Sequence, residues 1–443
     1  MSKVGMISLG CPKNQVDAEM LLSRLSDGGF EIVGDVEADI VIVNTCGFIG
    51  DAKKEAIDTI LEMCQLKDEG IVGAVVVTGC LAQRYKDEII KEIPEVDAVV
   101  GIGGNADIVS VCREVLESKK VSHFPDKLCL PLEGDRLLTT PPHYAYLKIA
   151  EGCSNCCTYC AIPKIRGKFR SRKMENIIAE AESLAKNGVK ELIVVAQDTT
   201  KYGIDLYGEL KLAELLRELC KIEGIEWIRT LYCYPESITD ELIDTIATEN
   251  KICKYIDIPL QHCDGKVLKK MNRKGDRESL TALIKKIRRK IPGVVVRTTF
   301  IVGFPGETQE NFESLCEFAD ELEFDRYGCF AYSAEEDTPA ALMENQVDEE
   351  TKMERASIMN AQQQHIFDSK LDSLVGRELT AIVDGFDEEE MLYFGRSYMD
   401  APGIDTVAII SSEEELTPGQ FVTGIVKGNL DGEMIIEIEN SAI

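Results

Sequence analysis

Nowhere in these 443 residues does an apolar run approach the ~18 residues that a membrane-crossing helix needs. A helical membrane span is therefore not expected. The first residues, Met1-Ser-Lys-Val-Gly-Met6, lack the basic region, apolar stretch and cleavage site of a signal peptide, which predicts a cytoplasmic protein. Internal repeats of solenoid period and low-complexity tracts are absent too, so a chain of this length should form about three ordinary domains. Positive charge is scarce: 49 Lys and Arg stand against 78 Asp and Glu, a net charge of −29. Such a surface repels phosphate backbones and suits a basic protein partner. The imbalance is steepest from 375 to 443, where fifteen acidic residues face three basic ones. Two internal stretches, Lys164 to Lys173 and Lys266 to Lys290, run the other way.

Cysteine, by contrast, is plentiful, with 16 in the chain. In a reducing compartment that count points to metal clusters or catalysis before disulfides. Cys153, Cys157 and Cys160 fall at the spacing CxxxCxxC, just beyond the hydrophobic segment Tyr144 to Ala150. Three thiolates can hold a four-iron cluster and leave one iron open. An open, reducible iron can bind S-adenosylmethionine (SAM) through its amino and carboxylate groups, and an electron passed to the sulfonium then yields a 5′-deoxyadenosyl radical. The competing readings are a zinc site with Cys156 as fourth ligand and a set of inert buried thiols. Adjacent Cys156 and Cys157 are poorly placed to share a tetrahedral ion, so Cys156 is read as a bystander.

The first 100 residues alternate apolar runs with helical patterns, with strands expected at 4–9, 39–44, 74–78 and 97–101. That alternation predicts a doubly wound parallel sheet. Cys11, Cys46 and Cys80 each follow a strand by one or two residues, 35 and 34 residues apart. The carboxyl ends of parallel strands share one edge, where ligands bind. A second set of three convergent thiols is thus expected, against the alternative of small buried residues at turns.

Between 140 and 335, six hydrophobic runs with intervening helices predict an α/β partial (β/α)6 barrel with its chemistry at the carboxyl ends of the strands. Polar groups at those ends are Gln197, Asp198, Tyr232 and His262, candidates for catalysis by position, and the turn Gly303-Phe-Pro-Gly306-Glu307. A long polar helix, about 348–373, leads into five short alternating strands that predict a small β-barrel of the OB kind. The expected domains are 1–138, the barrel 139–345, the helical linker 346–373 and the terminal β-barrel 374–443.

Several stretches together resemble one family over essentially the whole chain. They are Ser8-Leu-Gly-Cys11-Pro-Lys-Asn14, Val43-Asn-Thr-Cys46-Gly-Phe-Ile49, Thr78-Gly-Cys80-Leu81, Glu151-Gly-Cys153, Arg166-Gly-Lys168, Asp257-Ile-Pro-Leu-Gln-His262, Gly303-Phe-Pro-Gly-Glu-Thr308, and Gly395-Arg-Ser-Tyr398 with Asp400-Ala-Pro402. The chain resembles the radical-SAM methylthiotransferases with a C-terminal TRAM domain, and within them the branch acting on an aspartate of ribosomal protein S-twelve. The resemblance implies that Cys153, Cys157 and Cys160 ligate a SAM-cleaving [4Fe-4S] cluster and Cys11, Cys46 and Cys80 an auxiliary [4Fe-4S] cluster that supplies or carries sulfur. It implies a SAM site involving Tyr159, Gln197, Ile301 and Gly303. The motif often written GxIxGxxE is only partly met, with Glu307 displaced by one residue. The implied partners are the small-subunit ribosomal protein, free or assembled, and a reductant such as flavodoxin or ferredoxin. Lys164 to Lys173 is either a contact to ribosomal RNA or a solvated loop over the SAM pocket. The competing functions are a tRNA adenosine methylthiotransferase and an electron-transfer iron–sulfur protein.

Overall fold

The computed structural model describes residues 1–438; the last five residues of the expected terminal domain, 439–443, lie outside them. No helix among the described residues is long and apolar enough to cross a membrane. The described residues form three main sheets and a small two-stranded one that pairs Ala150–Glu151 with Arg170–Ser171. The first is six-stranded and fully parallel, in the order Glu31–Ile32, Lys3–Ser8, Ile40–Thr45, Ala74–Gly79, Ala98–Val100, Val121–His123. The expected strands are all present. The two edge strands escaped sequence reading because two and three residues are too few to show a period.

Its two central strands, Ile40–Thr45 and Ala74–Gly79, are buried on both faces along their whole length, as parallel strands covered by helices must be. After Lys3–Ser8 the chain turns to one side of the sheet to form Glu31–Ile32, then crosses to the other side for Ile40–Thr45. That reversal creates a crevice at the carboxyl ends of the strands. Cys11 and Cys46 follow the two strands that flank it, and Cys80 follows the next strand over.

The second sheet holds six parallel strands in sequence order: Tyr144–Lys148, Glu191–Val195, Trp227–Thr230, Ile252–Gln261, Val295–Val302 and Arg326–Ala331. It is an open (β/α)6 barrel, as expected. The polar helix Glu349–Asp372 is more than a linker. Asn360 both donates to the Cys329 carbonyl and accepts from the Cys329 amide, each at 3.0 Å. An amide side chain thus imitates a neighbouring strand and covers part of the exposed edge.

The third sheet closes on itself as a five-stranded barrel: Glu378–Asp387, Leu392–Ser397, Ala408–Ser411, Glu433–Glu437 and Phe421–Leu430. It caps the amino end of the central barrel. The first residues of three central strands reach it: Glu191 pairs with Arg396, Arg326 with Asp400, and the Trp227 ring meets Phe421 edge-on at 4.9 Å. Ala401, fully buried, packs with Tyr146, Ile193 and Tyr255 of the barrel interior. The N-terminal domain covers the opposite, carboxyl end, so the two flanking domains never compete for one face.

Candidate active site between two thiol clusters

The N-terminal thiols are brought together by turns that interlock. Gly10, at φ +89°, lies so close to Cys46 that an added Cβ would stand 2.6 Å from the Cys46 Cβ, which leaves room for glycine alone. The Asn14 side chain donates to the Leu9 carbonyl at 2.8 Å, and Asn44 returns a bond to the Asn14 carbonyl at 2.9 Å. Thr45 Oγ1 donates to the Thr78 carbonyl at 2.5 Å, joining the second turn to the third. Cys46 and Cys80 are buried and Cys11 half-buried. Burial pushes the Cys80 thiol up to about 12 and, with Cys11 beside it, raises Cys46 as well. Burial also works to raise Cys11, but Lys13 and Arg166 outweigh it and lower that thiol.

Arg166 comes from the central barrel. It is 1% exposed, and its Nε donates to Cys80 Sγ at 3.3 Å while its other nitrogens reach Asn14 at 3.1 Å, Asp17 at 2.8 Å and Glu151 at 3.1 Å. Lys148 joins the same group by pairing with Asp17 and, at 3.0 Å, with Glu151. Two cations and two carboxylates thus balance inside the interface. The arrangement ties the first domain to the strand that leads into Cys153.

The second trio lies in the loop after the short strand Ala150–Glu151. Cys153 and Cys157 are buried, Cys160 is half-buried, and Cys156 is exposed with φ +54°. Burial raises the Cys153 thiol to about 11. The loop is strapped down by Asn272, whose amide donates to the carbonyls of Asn155 and Cys156 at 3.1 and 2.9 Å, and by Thr158, which donates to the Lys270 carbonyl at 2.8 Å. Among the described residues no group of three or more His, Cys, Asp or Glu side chains could hold a single metal ion. A four-iron cube takes its thiolates at its corners, set wider than the ligands of one ion.

The remaining residues singled out by sequence are held in different ways. Asp198 is fully buried and committed, accepting from Thr200 at 2.6 Å and from Asn155 of the cysteine loop at 2.8 Å. Gln197 approaches Glu151 at 3.5 Å, and its carbonyl oxygen is buried without a hydrogen-bond partner. His262 is fully buried; its Nδ1 accepts from the Asp264 amide at 2.9 Å, and burial lowers it to about 4. Tyr159 and Tyr234 crowd Cys157, and burial followed by that thiol raises both phenols. Ile301 is half-buried.

Gly303 has φ +71°, and the space of a Cβ there is filled by Lys352 of the long helix. Glu307, displaced in the motif, closes this turn: its carboxylate accepts from the Gly303 amide at 2.9 Å and from Arg355 at 2.7 Å. Tyr232 sits at φ +61°, with the Lys13 ammonium 3.4 Å from its ring centroid. The Lys164 to Lys173 stretch is neither a solvated loop nor a continuous RNA-facing strip, because Arg166 and Arg172 are buried in ion pairs. Lys164, Lys168 and Lys173 alone face outward. Sequence reasoning gave no role to Lys13 or Arg166, which lie inside the quoted stretches Ser8 to Asn14 and Arg166 to Lys168; only proximity to the cysteine motifs could have flagged them.

Residues 3–101 match an uncharacterized protein family, UPF0004; residues 147–319 match the Radical SAM superfamily and 375–437 the TRAM domain. The chain is 52% identical over 440 residues to the ribosomal protein uS12 methylthiotransferase RimO of Caldanaerobacter subterraneus, covering 99% of this chain and 100% of that one. The chain belongs to the uS12 methylthiotransferase family. A second member of the family, the RimO of Lachnoclostridium phytofermentans, is 50% identical over 95% of this chain and 96% of its own. Among solved structures, the radical SAM methyltransferase TsrM of Kitasatospora setae superposes with a TM-score of 0.57 at 15% identity, covering 74% of this chain and 73% of that one. At that identity it supports the fold shared with this uS12 methylthiotransferase family member and nothing finer.

Proposed function

We propose that this enzyme methylthiolates the β-carbon of an aspartate in ribosomal protein uS12, using one SAM as methyl donor and a second as the source of a 5′-deoxyadenosyl radical. The observation that carries the reading is the placing of two separate thiol trios at one domain interface, one at the switch point of a parallel sheet and one at the carboxyl end of a radical-SAM barrel. Cys11, Cys46 and Cys80 would hold the auxiliary [4Fe-4S] cluster, and Cys153, Cys157 and Cys160 the SAM-cleaving one. The donor chemistry fits: three thiols at each site leave one corner of a cube unligated. When bound, these groups supply the electron that cleaves SAM and the sulfur that is transferred.

The chain's own residues do the rest. Arg166 offsets thiolate charge at Cys80 while its remaining donors are consumed by Asp17 and Glu151. Asp198 and Asn272 hold the loop that presents Cys153 to Cys160, and Tyr159, Gln197, Ile301 and Gly303 border the space for SAM. The domain over the barrel mouth excludes water from a radical that would otherwise be quenched.

The chain divides as 1–138, 139–345, 346–373 and 374–443, in keeping with its three unconnected main sheets. The acidic terminal barrel lies at the far end of the central barrel, so it engages the basic ribosomal protein away from the target aspartate and speeds encounter. Lys164, Lys168 and Lys173 are left to meet ribosomal RNA. A cytoplasmic flavodoxin or ferredoxin supplies electrons. Anaerobic reconstitution with iron and sulfide, followed by dithionite, SAM and a peptide copy of the uS12 loop, tests the reading by mass spectrometry. A methylthio group on the aspartate with 5′-deoxyadenosine is expected; deoxyadenosine with an unmodified peptide refutes the substrate, and neither product from intact clusters refutes the enzyme.

A further inference from the structure

Ten Lys and Arg side chains are buried in the described residues, and nine of them are ion-paired. Lys148, Arg166, Arg172, Arg229, Arg273, Arg326, Lys352, Arg355 and Arg396 each have a carboxylate within reach. Lys13 is the exception. It is 6% exposed, and among the described residues no carboxylate lies within ion-pair distance of it. Its ammonium rests on the face of Tyr232, 3.4 Å from the ring centroid. Burying an ammonium without a carboxylate is costly, and the ring face and the neighbouring Cys11 thiol offset only part of that cost.

The place of this cation without a carboxylate is informative. Lys13 is two residues beyond Cys11, and Tyr232 is two residues before Tyr234, which crowds Cys157 and Cys153. The Lys13–Tyr232 contact therefore joins the turn that carries Cys11 to the barrel loop whose Tyr234 neighbours the second trio. Tyr232 is held in the left-handed region, at φ +61°, by the Asp257 carboxylate accepting its amide at 2.9 Å and by its carbonyl accepting from Thr199 at 3.1 Å. A non-glycine residue kept in that region by converging bonds marks a site where the side-chain direction matters. Here that direction puts the ring under Lys13. An ammonium has three donors, and Tyr232 occupies at most one of them.

We propose that Lys13 is the residue that recognises the substrate carboxylate: its ammonium takes the side-chain carboxylate of the aspartate to be modified. The proposal rests on the functional reading above. Anchoring the carboxylate fixes the adjacent β-carbon, one bond away, between the two cysteine trios, which is where hydrogen removal and sulfur delivery must both reach it. It predicts selection of aspartate over its isosteric amide, since asparagine would bring the buried ammonium no carboxylate.

The competing role for Lys13 is countercharge to the thiolates near Cys11. The two are separated by titrating the reconstituted full-length enzyme with fluorescent copies of the target loop carrying either aspartate or asparagine at the target position, and reading affinity by anisotropy. Wild type should prefer the aspartate peptide by about 10- to 100-fold, the range of a hydrogen bond to a charged group. Lys13→Gln should erase that preference by weakening the aspartate peptide alone, and Lys13→Arg should restore part of it. Equal affinity of the wild type for both peptides overturns the proposal, and so does a Lys13→Gln variant that weakens both alike. If Lys13→Gln fails to assemble its clusters, Lys13→Arg decides: a preference for aspartate identical to that of the wild type overturns the proposal. Failure of the wild type to methylthiolate the bound aspartate peptide would instead remove the functional reading and leave the carboxylate recognition standing.

Discussion

Arg166 Nε of the central barrel lies 3.3 Å from Cys80 Sγ of the N-terminal domain, 86 residues away in sequence. The same guanidinium is paired with Asp17 and Glu151, and Lys148 completes the group. An N-terminal thiol, the domain interface and a barrel strand are thereby parts of one buried electrostatic unit.

Arg166→Met should leave Asp17 and Glu151 sharing Lys148 alone. Removing one partner from a buried charge group costs about 3–5 kcal/mol. A lowered denaturation midpoint and a changed electron paramagnetic resonance signal of the auxiliary cluster are the expected readouts. Arg166→Lys keeps the charge but loses the fork that reaches several acceptors at once, and should fall between.

The two cysteine sets should separate functionally. Cys157→Ala is expected to abolish 5′-deoxyadenosine formation, whereas Cys46→Ala should retain it and lose methylthio transfer. Iron content should fall by about half in each variant, because one of two clusters is lost. Equal loss of SAM cleavage in both variants would contradict the division of labour.

His262 makes stability depend on pH. Burial lowers its imidazole from 6.5 to about 4, so the folded state favours the neutral ring. Its contribution is complete above pH 6.5 and is lost as pH falls from there through about 4, with about 2 kcal/mol gone by pH 5. Thermal unfolding of the wild type at about pH 7 and pH 5, compared with His262→Gln, should show a shallower pH dependence in the variant.

Docking of the terminal barrel depends on Arg396, which pairs with Glu191 and Asp384 and is 2% exposed. Arg396→Ala leaves both carboxylates short of a partner and should cost about 3–5 kcal/mol. Faster cleavage by protease in the segment between Asp372 and Glu378 is the expected sign of a barrel released from the amino end of the strands.

Periodicity and cysteine spacing were enough to read the three sheets, the two thiol trios and the order of the domains, because these depend on local pattern and on the rule that parallel strands end along one edge. Edge strands of two and three residues carry no period and were invisible. The basic run from Lys164 to Lys173 misled for a related reason. Composition counts Arg166 and Arg172 as surface charge, yet whether a cation is solvated or paired depends on carboxylates that are distant in sequence, here Asp17, Glu151, Glu133 and Glu180.

The amino-acid sequence by itself determined which thiols are available and how they are spaced, since these are covalent facts of the chain. Only the tertiary structure decided that Glu307 braces the Gly303 turn, that Asp198 is spent on the cysteine loop, and that Lys13, alone among the buried cations of the described residues, has no carboxylate within ion-pair distance. Each of those depends on which groups from separate strands and domains meet in a place without water, where an unmet charge or hydrogen bond becomes costly.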